Sequence, residues 1–257
     1  MKTVLLAGGL GTRISEETHV KPKPMVDIGG VPVLVHIMRS YCGYSFNEFV
    51  VALGYKGEVV KDYFLNYHLR TNDLSVNIGT GQIECRRRVE ENMVVELIDT
   101  GGKSMTGGRL LRLKDNLRSS GTFMLTYGDG VSDVNIKALV DFHRQHGKIA
   151  TVTAVRPAAR FGTMSFDGDR VSSFKEKSQA SEGWINGGFF VFEPSIFNYL
   201  VDDTTILEKE PLENLAKDGQ LMAFKHSGFW HPMDTIRDRD VLNEMWAQGH
   251  APWSVSR

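Results

Sequence analysis

Apolar strand-like segments alternate with segments of helical period over the first 155 residues of the chain. Residues 48–53 (EFVVAL) form a mostly apolar run typical of a buried strand, and residues 57–67 then repeat apolar side chains at helical spacing. This alternation predicts a mostly parallel sheet with helices on both faces. The elements predicted here are strands at 4–7, 48–53, 94–99, 122–127 and 149–155, and helices at 33–44, 57–67, from 106 onward and at 135–146.

The second part of the chain carries shorter segments bounded by polar residues. Strands are predicted at 163–166, 170–176 and 184–192, and helices at 207–217 and 236–248. We expect these elements to extend the same sheet, so that residues 1–257 form a single α/β domain with a Rossmann-like, mostly parallel mixed sheet. Residues 73–88 are predicted to be an irregular or β-hairpin insertion and a candidate contact between subunits.

Composition and charge argue against several classes of protein. The chain has 30 Lys and Arg residues and 31 Asp and Glu residues, and this formal net charge of −1 disfavours a nucleic-acid-binding protein. No apolar run approaches the roughly 18 residues of a membrane span, and the first apolar run is too short for a signal peptide. The two cysteines, Cys42 and Cys85, fit reduced thiols. The chain is therefore expected to act in the cytoplasm, with neither nucleic acid nor membrane as a partner.

The first predicted strand runs into a glycine-rich loop, residues 8–13 (GGLGTR), and a KPKPM segment follows at residues 21–25. Glycines let backbone N–H groups approach an anion closely because no Cβ intervenes. Arg13 and Lys23 add two cations to the same region. The loop lacks the third glycine of the dinucleotide fingerprint and the Gly-Lys-Ser/Thr of the P-loop. The combination predicts a nucleoside triphosphate site and disfavours a dinucleotide-dependent oxidoreductase.

Two aspartates are candidate ligands for a divalent cation. Asp129 lies between glycines just after the strand predicted at 122–127, and Asp234 follows an aromatic-rich loop. Mg²⁺ usually takes one or two protein carboxylates and leaves its other positions to phosphates and water. The alternatives are a solvated turn for Asp129 and a helix N-cap for Asp234.

Other polar residues are assigned to structural roles. Asp133 is expected to cap the helix that begins near Asn135, and an N-cap is the alternative role for Ser104. The eight histidines show no metal-ligand spacing, and His143 and His146 are expected on the surface. There is no G-x-S-x-G elbow, so nucleophilic catalysis has no support.

The glycine-rich loop and Pro22-Lys23-Pro24 together resemble the G-G-x-G-T-R…P-K-P pattern of the sugar-nucleotide pyrophosphorylases. Glu176-Lys177-Ser178 is similar to the family's E-K-P element, with Ser178 in place of the proline. Asn186-Gly187-Gly188 is similar to its N-x-G segment, and Arg160-Phe161-Gly162 stands where the family has an R-x-G element. The resemblance implies the nucleotidyltransferase fold.

Three longer strings resemble one subgroup of that family, the glucose-1-phosphate cytidylyltransferases. They are residues 99–109 (DTGGKSMTGGR), 127–135 (YGDGVSDVN) and 228–235 (GFWHPMDT), and Pro252-Trp253 extends the match. The resemblance implies transfer of CMP from CTP to α-D-glucose 1-phosphate, which yields CDP-glucose and pyrophosphate and starts the CDP-linked dideoxysugar branch of surface polysaccharide synthesis. It also implies Mg²⁺ as cofactor and a homo-oligomer, for example a hexamer.

The same resemblance assigns roles to individual residues. Arg13, Lys23 and Asp129 would be catalytic, with Arg13 on the leaving pyrophosphate, and Asp129 and Asp234 would hold Mg²⁺. The nucleotide would be held by Leu6, Ala7, Gly8, Gly9, Leu10, Gly11, Thr12, Arg13, Lys23, Ser104, Arg109 and Gly128. The sugar phosphate would be held by Glu176, Lys177, Asn186 and Gly188. Residues 1–155 would form the nucleotide-binding half and residues 156–257 the sugar-phosphate-binding half.

Two further alternatives stay open. One is the same reaction with UTP or dTTP, or with another sugar 1-phosphate, and the other is a non-catalytic regulatory subunit that only binds nucleotide. Cytosine offers two acceptors and an amino donor, whereas uracil reverses this pattern at N3 and position 4. A fixed donor from Arg109, Ser104 or a loop N–H is the hypothesis for base selection.

Overall fold

A seven-stranded sheet organises the computed structural model, which describes residues 1–9, 11, 18–85, 91–157, 163–175 and 183–254. The strands of the described part are, in chain order, β1 (Lys2–Ala7), β2 (Asp27–Ile28), β3 (Val31–Pro32), β4 (Glu48–Leu53), β5 (Leu74–Val76), β6 (Ile83–Cys85), β7 (Val94–Asp99), β8 (Phe123–Tyr127), β9 (Gly130–Ser132), β10 (Ala150–Val155), β11 (Thr163–Asp167), β12 (Arg170–Lys175), β13 (Ile185–Phe192), β14 (Leu221–His226) and β15 (Trp230–Pro232). The α-helices are α1 (Val33–Cys42), α2 (Gly57–Leu65), α3 (Tyr67–Thr71), α4 (Thr106–Arg112), α5 (Lys114–Arg118), α6 (Ile136–His146), α7 (Glu210–Lys217) and α8 (Ile236–Ala247). None of these described helices has both the length and the apolar character to cross a membrane.

The main sheet has the strand order β14-β10-β13-β8-β1-β4-β7. Strand β1 runs parallel to β4 and β8, β4 runs parallel to β7, and β10 runs parallel to β14. Only β13 is antiparallel to its neighbours in this sheet, β8 and β10. The predicted mostly parallel, mixed sheet is therefore confirmed, and strands from both halves of the chain share it.

Helices cover both faces of the sheet, as predicted. Along β1, Val4 packs in one core cluster and Leu5 in the other, and β4 divides Val50 and Val51 in the same way. Successive side chains of a strand therefore point to opposite faces of the sheet. Helices α1, α6 and α8 pack in the cluster on one face, and helices α4, α5 and α7 pack in the cluster on the other. All four side chains are fully buried, and each such aliphatic side chain contributes roughly 1.5–3 kcal/mol to folding.

Three local details differ from the sequence predictions or refine them. The helix predicted over 57–67 is two helices, α2 and α3, which meet at Asn66. The N-cap of α6 is Asn135, whose side chain accepts an N–H from the first turn at 2.9 Å. Asp133 does not cap the helix because it pairs with His226 at 2.9 Å. The insertion at 73–88 contains the antiparallel pair β5 and β6, and its last three residues lie outside the described chain.

The expectation that His143 lies on the surface is wrong. The ring is 1% exposed, with Nδ1 2.8 Å from Thr151 Oγ1 and Nε2 3.2 Å from Glu193 Oε1. His146 is half-buried and contacts the same threonine hydroxyl at 2.7 Å. Burial lowers the pKa of His143, which keeps the ring neutral at physiological pH.

The parallel strands β1, β4, β7 and β8 end at one edge of the sheet because they are neighbours that run in the same direction. Loops leave this edge at Gly8, Gly54, Thr100 and Gly128. Open α/β sheets bind ligands beyond the carboxyl ends of their strands, so this edge is where the predicted site residues should meet.

Candidate active site

A short antiparallel ribbon brings the two predicted metal ligands together. Strand β9 begins immediately after Asp129, and β15 ends shortly before Asp234. The two strands pair with Val131 opposite His231, and Met233 N–H donates to the Asp129 carbonyl at 2.8 Å. Both carboxylates therefore leave the same end of the ribbon.

Lys23 joins the two carboxylates. Its Nζ lies 2.7 Å from Asp129 Oδ2 and 2.5 Å from Asp234 Oδ1. Burial by itself lowers the pKa of Lys23, but the charge of Asp129 and the hydrogen bonds to both carboxylates outweigh it and raise the pKa above its usual value. Lys23 is therefore a cation throughout the physiological pH range. The alternative role of Asp234 as an N-cap is wrong, since Thr235 caps α8.

The same two carboxylates suit a divalent cation. Asp129 and Asp234 offer hard oxygen ligands at a point where negative charge already attracts the Lys23 ammonium. In the part of the chain that the structure describes, no cluster of three or more His, Cys, Asp or Glu groups could hold a metal ion. Mg²⁺ fits a site with two carboxylates because phosphate and water usually complete its coordination.

A cavity of about 460 Å³ opens beside these carboxylates at the carboxyl edge of the sheet. The predicted nucleotide-site residues that line it are Leu6, Gly8, Gly9, Gly11, Lys23, Ser104, Arg109 and Gly128, together with Asp129 and Asp234. Ala7, predicted to hold the nucleotide through its backbone, has its side chain buried in the core, which leaves that prediction untested. Leu10, Thr12 and Arg13 lie outside the described residues.

Arg109 ties three strand ends together at the cavity wall. Its Nη2 donates to the Gly8 carbonyl at 2.8 Å. Its Nη1 lies 3.1 Å from the Leu53 carbonyl, 3.0 Å from Thr100 Oγ1 and 2.7 Å from the Gly101 carbonyl. Burial lowers the pKa of Arg109, yet a guanidinium stays charged in proteins. A role as donor to the base remains a prediction that is compatible with this geometry, since none of these bonds uses Nε.

The close packing of Arg109 explains why residue 8 of the loop is glycine, but it does not explain the glycine at residue 9. A Cβ at Gly8 would lie 2.2 Å from Arg109 Cζ, and a Cβ at Gly54 would lie 2.3 Å from Nη1. A Cβ at Gly9 would meet no described atom within 4 Å. Gly8 therefore makes room for the arginine, whereas Gly9 leaves space at the cavity.

Gly8→Ala is expected to lower the free energy of unfolding by about 1–3 kcal/mol because the added methyl group overpacks the buried guanidinium. Gly9→Ala serves as the matched control and should stay within about 0.5 kcal/mol of the parent protein. Urea unfolding followed by circular dichroism measures both values. Equal destabilisation by the two substitutions would contradict the contact with Arg109.

Ser104 is oriented by the backbone rather than by the helix that follows it. Its hydroxyl donates to the Thr100 carbonyl at 2.6 Å, and the N-cap of α4 is Met105. The alternative role of Ser104 as an N-cap is therefore wrong. Because its proton is committed to Thr100, Ser104 is not the hypothesised donor to the base, and its Oγ offers lone pairs to a ligand in the larger cavity.

A second cavity, of about 240 Å³, shares Tyr127, Asp129 and Asp234 with the first. Asn186 and Gly188, both predicted for the sugar phosphate, line it. Gly188 has a φ of +80°, and a Cβ there would lie 2.5 Å from Tyr127 Cδ2. The backbone conformation and the tyrosine ring both require glycine at this position.

Some residues of the site are not described, and others carry no sequence prediction. Those outside the described chain are Arg160, Phe161, Gly162, Glu176, Lys177 and Ser178. Glu208 lines the larger cavity and Trp230 the smaller one. Trp230 lies in the string at residues 228–235, so the family resemblance could have identified it as a site residue. Glu208 belongs to no motif recognised in the sequence.

Comparison with known proteins identifies the family of the chain. A glucose-1-phosphate cytidylyltransferase of Salmonella typhi is 50% identical over 255 residues, which cover 99% of each chain. The structure of the inositol-1-phosphate CTP transferase from T. maritima has a TM-score of 0.68 and 13% identity over 100% of this chain and 98% of that chain. The structure of UDP-glucose pyrophosphorylase in complex with UDP-glucose has a TM-score of 0.68 and 15% sequence identity, over 96% of this chain and 98% of that chain. At such low identities, the two structures show a likeness of fold alone. Since the family model for nucleotidyl transferases matches residues 2–235, the chain belongs to the nucleotidyltransferase family.

Proposed function

We propose that this protein transfers CMP from CTP to α-D-glucose 1-phosphate and forms CDP-glucose and pyrophosphate. The observation that carries the choice of substrates is the 50% identity to the Salmonella typhi glucose-1-phosphate cytidylyltransferase over 99% of both chains. The reaction class has separate support from Lys23, whose ammonium contacts Asp129 and Asp234 where the two cavities meet.

The two adjoining cavities suit the two substrates of an in-line displacement. CTP would occupy the larger cavity, beside the glycine-rich loop, and the sugar phosphate would occupy the smaller one. A phosphate oxygen of glucose 1-phosphate attacks the α-phosphorus, the bond from that phosphorus to the bridging oxygen breaks, and pyrophosphate leaves. Lys23 neutralises negative charge on the α-phosphoryl group. Positioning and charge neutralisation supply most of the rate enhancement in such transfers.

Asp129 and Asp234 would hold Mg²⁺, which when bound neutralises phosphate charge and orients the triphosphate. Three assignments from the family resemblance complete the proposal. Arg13 would contact the leaving pyrophosphate, Lys177 would grip the sugar phosphate, and Glu176 would bind a sugar hydroxyl.

Base selection would rest on Ser104 and Arg109. The Ser104 hydroxyl donates to the Thr100 carbonyl, so its Oγ can accept a hydrogen bond from the exocyclic amino group of cytosine, which uracil lacks. Arg109 lines the same cavity and can donate from Nε to the O2 or N3 acceptor of the base. An acceptor placed beside position 4 of the base would favour cytosine, whose amino group donates there, over uracil, whose O4 is an acceptor at that position.

The test is pyrophosphate release in the presence of Mg²⁺, with CTP, UTP, dTTP, ATP and GTP crossed with the 1-phosphates of glucose, mannose and galactose. The expected result is the highest kcat/KM for CTP with glucose 1-phosphate. A maximum at another pair would keep the reaction class and replace the substrates. No release from folded protein that still binds CTP would support the regulatory alternative and overturn the catalytic one.

The remaining expectations are proposals about the whole molecule. We propose one nucleotidyltransferase domain over residues 1–257, acting in the cytoplasm to supply CDP-linked dideoxysugar synthesis. We also propose a homo-oligomer in which the hairpin β5–β6 contributes a contact, because Val76, Ile78 and Ile83 are 49–90% exposed there. Light scattering after size exclusion measures the oligomeric state, and a monomer would overturn this part of the proposal.

A further inference from the structure

Glu208 lines the larger cavity and contacts Tyr127, which both cavities share. Its carboxylate is half-buried, with Oε1 accepting a hydrogen bond from Tyr127 Oη at 2.5 Å and Oε2 accepting one from Thr106 Oγ1 at 2.6 Å. Thr106 Oγ1 in turn accepts the Leu207 N–H at 2.9 Å. Glu208 is therefore anchored to the first turn of α4, which walls the larger cavity, and to the tyrosine that both cavities share.

The carboxylate determines the direction of the hydrogen bond between Tyr127 and Asn186. An ionised carboxylate only accepts, so the single phenolic proton of Tyr127 must point to Glu208. The phenolic oxygen is then an acceptor, and Asn186 Nδ2 donates to it at 2.9 Å. Asn186 Oδ1 accepts the Gly188 N–H at 2.8 Å. The Asn186 amide is thus held at its nitrogen by Tyr127, which Glu208 orients, and at its oxygen by the backbone N–H of Gly188.

The orientation leaves one donor for a ligand. An amide nitrogen carries two N–H groups, and the bond to Tyr127 uses one of them. Asn186 lines the smaller cavity, so its other N–H is available to an acceptor bound there.

We propose that Glu208 is a positioning residue for sugar recognition. By holding the proton of Tyr127, it fixes the amide of Asn186 so that a remaining N–H faces a hydroxyl oxygen of the sugar 1-phosphate. The inference rests on the proposed function, because the smaller cavity is taken to receive the sugar phosphate. Glu208 would thus act on the sugar without direct contact, through the hydrogen bonds that join it to Tyr127 and Tyr127 to Asn186.

The test compares Glu208→Gln and Tyr127→Phe with the parent enzyme. Glutamine has one carbonyl oxygen and one amide NH2 group, so it cannot accept from both Tyr127 and Thr106, and Tyr127 no longer has an obligate acceptor for its proton. We expect the KM for glucose 1-phosphate to rise roughly tenfold in either variant, with the KM for CTP changed less than about threefold. The double variant should be no worse than the single ones, because all act on the same chain of hydrogen bonds.

Calorimetric titration supplies a readout that does not depend on turnover. CDP-glucose should bind the Glu208→Gln variant roughly tenfold more weakly than the parent protein, and CTP should bind both alike. Glu193→Gln is the matched control. Its carboxylate accepts from Thr122 Oγ1 at 2.7 Å at the opposite end of β8 and β13, and the substitution should change neither constant.

Two results would overturn the role of Glu208. One is an equal rise in the KM values for CTP and glucose 1-phosphate, and the other is an unchanged KM for the sugar in the folded Tyr127→Phe variant. A parent enzyme that releases no pyrophosphate with any substrate pair would overturn the proposed function and this inference together. A parent enzyme that prefers another sugar 1-phosphate would revise the function alone, and the same comparison then applies to that sugar.

Discussion

Asp129→Asn is expected to lower kcat/KM by roughly a thousandfold while the protein remains folded. The substitution keeps the size of the side chain but removes the charge that holds Lys23 at 2.7 Å and that would ligate the metal. The backbone bond from Met233 N–H to the Asp129 carbonyl does not involve the side chain, so the ribbon of β9 and β15 should survive. Initial rates of pyrophosphate release, with circular dichroism as a check on folding, measure the effect.

A nearby aspartate supplies the control for this prediction. Asp133 follows β9 and pairs with His226 at 2.9 Å. Asp133→Asn removes the same charge a few residues further along the chain and should change kcat/KM less than about threefold. Near-normal turnover by Asp129→Asn would remove this carboxylate from the proposed metal site.

Lys23→Met should reduce turnover roughly a hundredfold or more and also change how the protein responds to Mg²⁺. Methionine preserves much of the length of the side chain but leaves Asp129 and Asp234 without the ammonium that lies within 2.7 Å of both. Two neighbouring carboxylates then repel each other, which destabilises the metal-free protein. The ammonium also competes with a divalent cation for these oxygens, so its removal should strengthen metal binding.

The two consequences can be measured separately from catalysis. The melting temperature of Lys23→Met without metal should fall below that of the parent protein, and added Mg²⁺ should raise it more in the variant than in the parent. Lys21→Met is the control, because Lys21 pairs with Asp27 near the surface at 2.6 Å and such pairs contribute about 0–1 kcal/mol. An identical response of the variant and the parent to Mg²⁺ would contradict a shared position for lysine and metal.

Part of the molecule could be predicted because its signals are local. Strands β4 and β7 begin and end where the sequence predicts, since apolar-rich runs between polar turns are visible within a few residues. The glycine-rich loop and Asp129 were placed at strand ends by the same reasoning, and parallel neighbours necessarily end at one edge. The approach of Asp129 to Asp234 follows once the ribbon of β9 and β15 is known, but no local pattern predicts that ribbon.

The sequence by itself determined the parallel α/β architecture, the edge of the sheet that carries the site and the residue types available for phosphate chemistry. Only the tertiary structure decided which polar groups are paired. It joined Asp133 to His226, buried His143 against Thr151, and made Glu208 a link between Thr106 and Tyr127. The physical reason is the sequence distance between the interacting groups. Hydrophobic periodicity depends on residues that are neighbours along the chain, whereas a hydrogen bond forms with whichever complementary atom folding brings to about 3 Å.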